Sequence, residues 1–157
     1  MRVKAKIEGR EAITNRLMAL VPKAQTALAQ VQLDGAKELA ERIRGRAPTN
    51  TGVYRKTIQG DKLSNRPAQR RVGGKLKRTP TGKTLDVTKD KHATGIFAEY
   101  IWRFLEFGTV KMGARPHIFP TFRAFRKKLR RDMAKAVNRE VRAFRKGRAA
   151  VIEENVT

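Results

Sequence analysis

The side chains best suited to chemistry are few in this chain, and they lie apart. The two histidines, His92 and His117, are 25 positions apart, and there is no cysteine to join them. A metal centre needs several N, O or S donors converging on one point, and no HExxH or thiolate spacing supplies them. Each histidine therefore reads as an exposed or loop residue. The absence of cysteine also excludes disulfides and a thiolate nucleophile. Lys77-Arg78-Thr79-Pro80-Thr81-Gly82-Lys83-Thr84 ends like a phosphate-binding loop. That motif needs glycine where Lys77 stands, a strand before it and a helix after it. Ser64 is the sole serine and lacks the glycines of a nucleophile elbow. Half of the 14 acidic residues are flanked by Lys or Arg, and Glu38 and Glu41 read as surface charges on one helix. No catalytic, cofactor-binding or metal-ligating set is expected, and no cofactor.

What remains is charge. Among 157 residues, 37 Lys and Arg oppose 14 Asp and Glu, a formal charge of +23. Such a balance speaks of partners, not of fold. It points to a polyanion, either nucleic acid or an acidic protein surface. No apolar run approaches the roughly 18 residues of a membrane span, and Met1–Ile7 lacks the apolar stretch of a signal peptide. At 39% apolar residues the chain can bury a core, and its length suits a single domain over 1–157. No helix-turn-helix or RNP motif accompanies the cations, so they fit phosphate contact without base reading. A free nucleic-acid-binding protein of ribosome-associated or nucleoid type is the alternative to the assembly role reached below.

The elements that position these residues follow from periodicity. Residues 2–8 alternate and predict a short edge strand. Ile13, Leu17, Leu20, Ala24, Leu28 and Val31 are spaced as one helix face, which resumes at Ala36, Leu39, Ala40 and Ile43. Pro22 should start a second helix or kink a single long one. Pro48-Thr49-Asn50-Thr51-Gly52 is turn chemistry, and Val53–Ile58, β-branched and aromatic, predicts a strand. Residues 61–92 carry ten cations against three acids, net +7, with repeated Pro and Gly. They read as a basic loop or loose hairpin, with short strands possible near Arg71-Val72 or Leu85-Asp86-Val87. Thr94–Ala98 is a strand candidate. Tyr100–Phe107 predicts two helical turns capped by Gly108, and five aromatics between Phe97 and Phe107 mark it as the densest part of the core. The last helix runs from Phe119 or Pro120 to about Gly147. Its apolar arc holds Phe122, Phe125, Leu129, Met133, Ala136, Val137, Val141 and Phe144. Lys127, Lys128, Arg131, Lys135, Arg139, Arg142, Arg145 and Lys146 make an almost wholly basic outer face. Arg126 and Arg130 fall in or beside the apolar arc and would need partners there. Residues 149–157 read as a frayed tail.

Two segments together resemble a known family. The first runs from Gly35-Ala36-Lys37-Glu38-Leu39-Ala40 into Arg46-Ala47-Pro48-Thr49-Asn50-Thr51-Gly52-Val53-Tyr54-Arg55-Lys56-Thr57-Ile58, a helix ending in Ala-Pro and a Thr-Gly turn. The second runs from Tyr100 through Glu106-Phe107-Gly108-Thr109, Met112, Ala114 and Arg115-Pro116-His117-Ile118 to Phe119-Pro120, followed by a helix. They are similar to the neck or tail-completion proteins of long-tailed bacteriophages, the lambdoid "gene product ten-like" group. The resemblance implies an α+β subunit, with long N-terminal and C-terminal helices packed on a small antiparallel sheet and an extended basic loop. It implies a structural virion protein with no catalytic site, at the head–tail junction and in host cytoplasm during assembly. Its implied partners are copies of itself in a ring, a hexamer, together with portal or head-completion and tail-terminator or tail-tube proteins. Duplex DNA would pass through the lumen, and no membrane is involved. The assembly and turn residues would be Pro48, Thr51, Gly52, Tyr54, Glu106, Phe107, Gly108, Thr109, Arg115, Pro116, Phe119 and Pro120. Arg70, Arg71, Lys75, Lys77, Arg78, Lys83, Lys127, Lys128 and Arg131 would face DNA. Glu106, costly to bury alone, would pair with Arg115 across the turn or across a subunit boundary.

Overall fold

The computed structural model describes residues 10–49, 52–67, 70–73, 76–78, 84–86, 90 and 92–154. The strand expected over 2–8, and Thr51, Lys75 and Lys83, lie outside them. The elements in order are α1 (Arg10–Arg46), α2 (Val53–Thr57), β1 (Gln59–Lys62), a 3-10 turn (Leu63–Asn65), β2 (Leu76–Arg78), β3 (Thr84–Asp86), β4 (Thr94–Phe97), α3 (Trp102–Phe107) and α4 (Ile118–Glu154). This is the α+β fold expected, with a long helix at each end and short antiparallel strands between. The chain divides into two compact units, residues 29–132 and residues 1–28 with 133–157.

In residues 29–132, one face of α1 supplies Leu39, Ala40, Ile43 and Ala47 to the core, at helical spacing. Ile58, Ile96, Ala98 and Trp102 meet them, together with Ile118 and Phe125 of α4. Strands β1 and β4 pair antiparallel, Gln59 opposite Phe97 and Lys62 opposite Thr94. The other edge of β4 is also occupied: Val72 N–H donates to Ile96 O (2.8 Å) and Ala98 N–H to Arg70 O (2.8 Å). Strand β1 lies so close to α1 that a Cβ on Gly60 would overlap the Ala36 carbonyl. Only glycine permits that approach. Within the basic stretch, β2 and β3 form a second antiparallel pair, Leu76 opposite Asp86.

Val53–Thr57 is a helical turn, not the predicted strand. Gly52 enters it at φ 73°, and Thr57 Oγ1 donates to Tyr54 O at 2.7 Å. Arg55 reaches back to the end of α1, its Nε donating to Arg44 O at 2.8 Å. A cation on the last carbonyls of a helix is favourable there. These tertiary bonds outweigh β-propensity, which mostly reflects surroundings. The pleated chain starts later, at Gln59.

Asp61, at the end of β1, anchors the following turn. Burial disfavours its charged form, but bonds from Lys62 N–H, Arg66 and Asn65 outweigh that and hold the carboxyl below its usual range.

In the other unit, Leu20, Ala24 and Leu28 of α1 are half-buried, as the predicted stripe requires, and Met18 and Val21 are exposed. Pro22 sits inside one continuous helix, and Thr26 Oγ1 donates to its carbonyl at 2.9 Å. In α4, Ala136 is buried and Met133, Val137, Val141 and Phe144 are half-buried, while Lys135, Arg139, Arg142, Arg145 and Lys146 are exposed. The helix passes Gly147, where it was expected to stop, and continues to Glu154. One interior glycine costs only about 1 kcal/mol against alanine, too little to end a helix within good helix formers.

Candidate assembly site

The site forms where α3 hands the chain to α4. Gly108 ends α3 at φ 78°, its N–H donating to Phe104 O at 2.8 Å. A Cβ there would press on the Ala114 backbone, so the residue is needed both for its conformation and for its space. Thr109 and Met112 close the turn by mutual backbone bonds of 2.8 and 3.2 Å. Arg115 N–H then donates to Leu105 O at 2.7 Å and returns the chain beside α3.

That return brings the start of α4 onto Glu106, whose side chain is buried, the residue being 4% exposed. Its carboxylate accepts the N–H groups of His117 (2.8 Å), Ile118 (3.0 Å) and Phe119 (2.9 Å). A helix leaves its first N–H groups without partners and carries partial positive charge at that end. Pro120 has no N–H to satisfy, so one carboxylate settles the first turn. The buried charge is thereby compensated without a side-chain cation. Across the turn, within one chain, the Glu106–Arg115 pair is not formed, and the Arg115 side chain is exposed. Helix amides already occupy the carboxylate, and they come from the backbone, whose identity no residue type announces.

His117 extends the arrangement. It lies in the loop before α4, as one half of the expectation had it, but it is buried there, 3% exposed. Its Nδ1 lies 2.9 Å from Arg115 O and its Nε2 lies 2.8 Å from the Tyr54 hydroxyl. A carbonyl can only accept, so Nδ1 carries a proton, and in the neutral ring Nε2 accepts from the Tyr54 hydroxyl. Burial first, and the Glu106 charge second, push the Tyr54 hydroxyl well above its ordinary range, keeping it a donor. The two rings meet edge to face at 5.6 Å. Tyr54 and Glu106, from the two segments that carried the resemblance, thus meet through His117, which neither the metal search nor the motif singled out. The usable signal was Pro120: proline in a first helical turn places an N-terminus there, and that terminus needs an acceptor.

Around this clamp several large apolar side chains are exposed, beside the cations Arg103, Lys111 and Arg115. Phe107 is 67% exposed although its ring touches Trp102 and Phe119. Tyr100, Ile101, Phe104, Val110 and Met112 are exposed as well. The aromatic segment expected to be the densest core is therefore split. Trp102 and Glu106 face inward, and most of its aromatics form an outer ridge. The i, i+3, i+4 reading chose Ile101, Phe104 and Leu105, but the buried face of α3 is the Trp102–Glu106 face. Phe122 is exposed as well, and so are Arg126 and Arg130, which therefore need no partner within an apolar face.

Of the other predicted positions, Pro48 is half-buried, Thr109 and Pro116 are exposed, and Phe119 and Pro120 are half-buried. Arg70, Lys127 and Arg131 are exposed. Lys77 and Arg78 lie in β2, with side chains outside the description. Two expectations of open cations are corrected. Arg71 is 8% exposed, packed where its backbone bridges Phe97, and its Nε has no hydrogen-bond partner. Lys128 is bound to Glu38 of α1 and stacks near Phe125. That ammonium holds the Glu38 carboxyl below its ordinary range. Among the described residues no group of three or more His, Asp or Glu converges as for a metal ion, and no helix is long and apolar enough to cross a membrane.

Residues 11–108 match the model of a protein family described as "Bacteriophage HK97-gp10, putative tail-component". No curated protein and no solved structure gives a significant match to the chain.

Proposed function

Because the chain belongs to the HK97-gp10-like family of bacteriophage tail components, we propose that it works without catalysis, as one subunit of a ring at the head–tail junction through which duplex DNA passes. The observation that carries this reading is the outer ridge of Tyr100, Phe104, Phe107, Val110 and Met112, fixed by the Glu106 clamp beneath it. Large exposed apolar side chains gathered between Tyr100 and Met112, on a charged protein, mark an interaction surface. The occupant proposed here is a second copy of the chain. Repetition of one such head-to-tail contact closes a ring when the rotation between neighbours permits. The hexamer, the contacts with portal or head-completion and tail-terminator or tail-tube proteins, and the DNA in the lumen belong to the same proposal.

Charge supports it. Each copy brings +23, and rings of such subunits repel themselves unless a polyanion lies within reach. The assembly residues proposed from the family likeness divide accordingly. Pro48, Gly52, Tyr54, Glu106, Gly108, Phe119 and Pro120 shape the clamp, and Phe107, Thr109 and Arg115 meet the neighbour. The test is the mass of the purified chain in solution and its presence in particles. Closed multiples of the 17.8 kDa subunit support the ring, and a monomer that binds DNA tightly in a salt-sensitive way favours the free nucleic-acid-binding alternative.

A further inference from the structure

We propose that a row of cations on the C-terminal half of α4, Lys135, Arg139, Arg142 and Lys146, is a binding site for the phosphate backbone of duplex DNA. The row is separate from the cations first expected to face DNA. It rests on the proposed function only for its setting, since binding is measurable on the isolated chain.

Spacing comes first. The four residues follow one another at intervals of 4, 3 and 4 positions. At about 100° per residue they fall within an arc of roughly 60°, facing away from half-buried Met133, Val137 and Phe144. At about 1.5 Å per residue the row is roughly 16 Å long. One DNA strand offers a phosphate about every 3.4 Å along the axis, so the row runs beside about five of them.

Shape and pairing come next. These four side chains, with Asn138 and Ala143, line an open groove of about 440 Å3. Some cations elsewhere are tied up: Arg42 bonds Glu38 at 2.8 Å, Arg66 bonds Asp61 at 3.0 Å, and Lys128 bonds Glu38. Among the described residues Lys135, Arg142 and Lys146 make no ion pair, and Arg139 makes only an exposed 3.4 Å contact with its neighbour Glu140. Contacts of that kind contribute little. Other free cations exist, such as Arg131, but here four stand in one row that lines a groove. It contains no aromatic side chain on which an unpaired base could stack. The chemistry fits a duplex backbone, read without regard to sequence.

The test is the affinity of the full chain for a short labelled duplex between about 50 and 200 mM salt. One variant combines Lys135→Gln, Arg139→Gln, Arg142→Gln and Lys146→Gln. A control combines Lys23→Gln, Lys37→Gln, Lys56→Gln and Lys111→Gln, removing equal charge from other exposed positions. Glutamine is close to Lys and Arg in helix propensity, so the helix is retained. Four lost contacts at about 0.9 each make the slope of log K against log salt shallower by about 3.6, and the control changes it by less than half as much. Arg139→Lys with Arg142→Lys keeps the wild-type slope, and two unrelated duplex sequences bind alike. On the unaltered chain, duplex protects Lys135 and Lys146 from acylation but leaves Lys37 and Lys56 reactive. Equal slopes in the two glutamine variants, or no protection, overturn the site. A chain that stays monomeric yet shows the loss overturns the ring and keeps the site. A ring that binds duplex with its slope unmoved by the first variant overturns the site and keeps the ring.

Discussion

The hydroxyl of Tyr54 lies 2.8 Å from Nε2 of His117, 63 residues further along the chain. Through that contact the turn after α1 is joined to the first turn of α4. On the other side of His117 stands Glu106, and the three residues make one buried polar chain. Its members are mutually satisfied, the condition under which buried polar groups give rigidity.

The clamp predicts a large effect from a small change. Glu106→Ala strips the acceptor from three backbone N–H groups. With unsatisfied buried donors costing about 1–3 kcal/mol each, stability falls by about 3 kcal/mol or more in urea unfolding. Glu106→Gln loses less, because its amide oxygen still accepts. Lys56→Ala, on exposed α2 surface, stays within about 0.5 kcal/mol of wild type. Equal midpoints for Glu106→Ala and Lys56→Ala would contradict the clamp.

The tautomer assigned to His117 is directly observable. Nitrogen chemical shifts of the imidazole are expected to give a protonated Nδ1 and an unprotonated Nε2. Tyr54→Phe removes the hydroxyl donor and costs about 1 kcal/mol, the usual net value of one hydrogen bond. A ring protonated on Nε2 alone would refute the assignment.

Acid dependence follows from Glu38. Its carboxyl is held below its ordinary range chiefly by the Lys128 hydrogen bond, then by Arg42, with burial working against it. A pKa lower in the folded chain means stability present above the unfolded value, about 4.3, and lost as pH falls through the folded one. Both side chains are over a third exposed, so the gain stays below about 1 kcal/mol. The stability difference between wild type and Lys128→Gln is therefore expected to be constant above about pH 5 and to shrink in acid. A difference that grows on acidification would contradict the pairing.

Sequence reasoning reached what periodicity encodes. The long helices α1 and α4 each bury one face at 3.6-residue spacing, and Gly108 ends α3 where a capping glycine was expected. It failed where tertiary bonds outweigh local preference. Val53–Thr57 coils because Arg55 is drawn to the end of α1, and nothing within those five residues encodes that. Glu106 was rightly singled out as costly to bury alone, but its partners are amides more than ten residues away, and amides leave no letter in a sequence. The aromatic segment misled because hydrophobic residues were equated with core. Phe107 and Phe104 face outward, which is legible only once the buried face of α3 is known.

The proposed ring requires the outer ridge to join one subunit to the next. Phe107→Asp puts a charge on a side chain that is 67% exposed, so helical content and the unfolding midpoint are expected to stay near those of wild type. Light-scattering mass after size separation is the decisive measurement. Closed multiples of 17.8 kDa are expected for wild type and monomers for the variant. A wild-type chain that remains monomeric at every concentration, or a variant that assembles as well as wild type, would contradict the proposed ring.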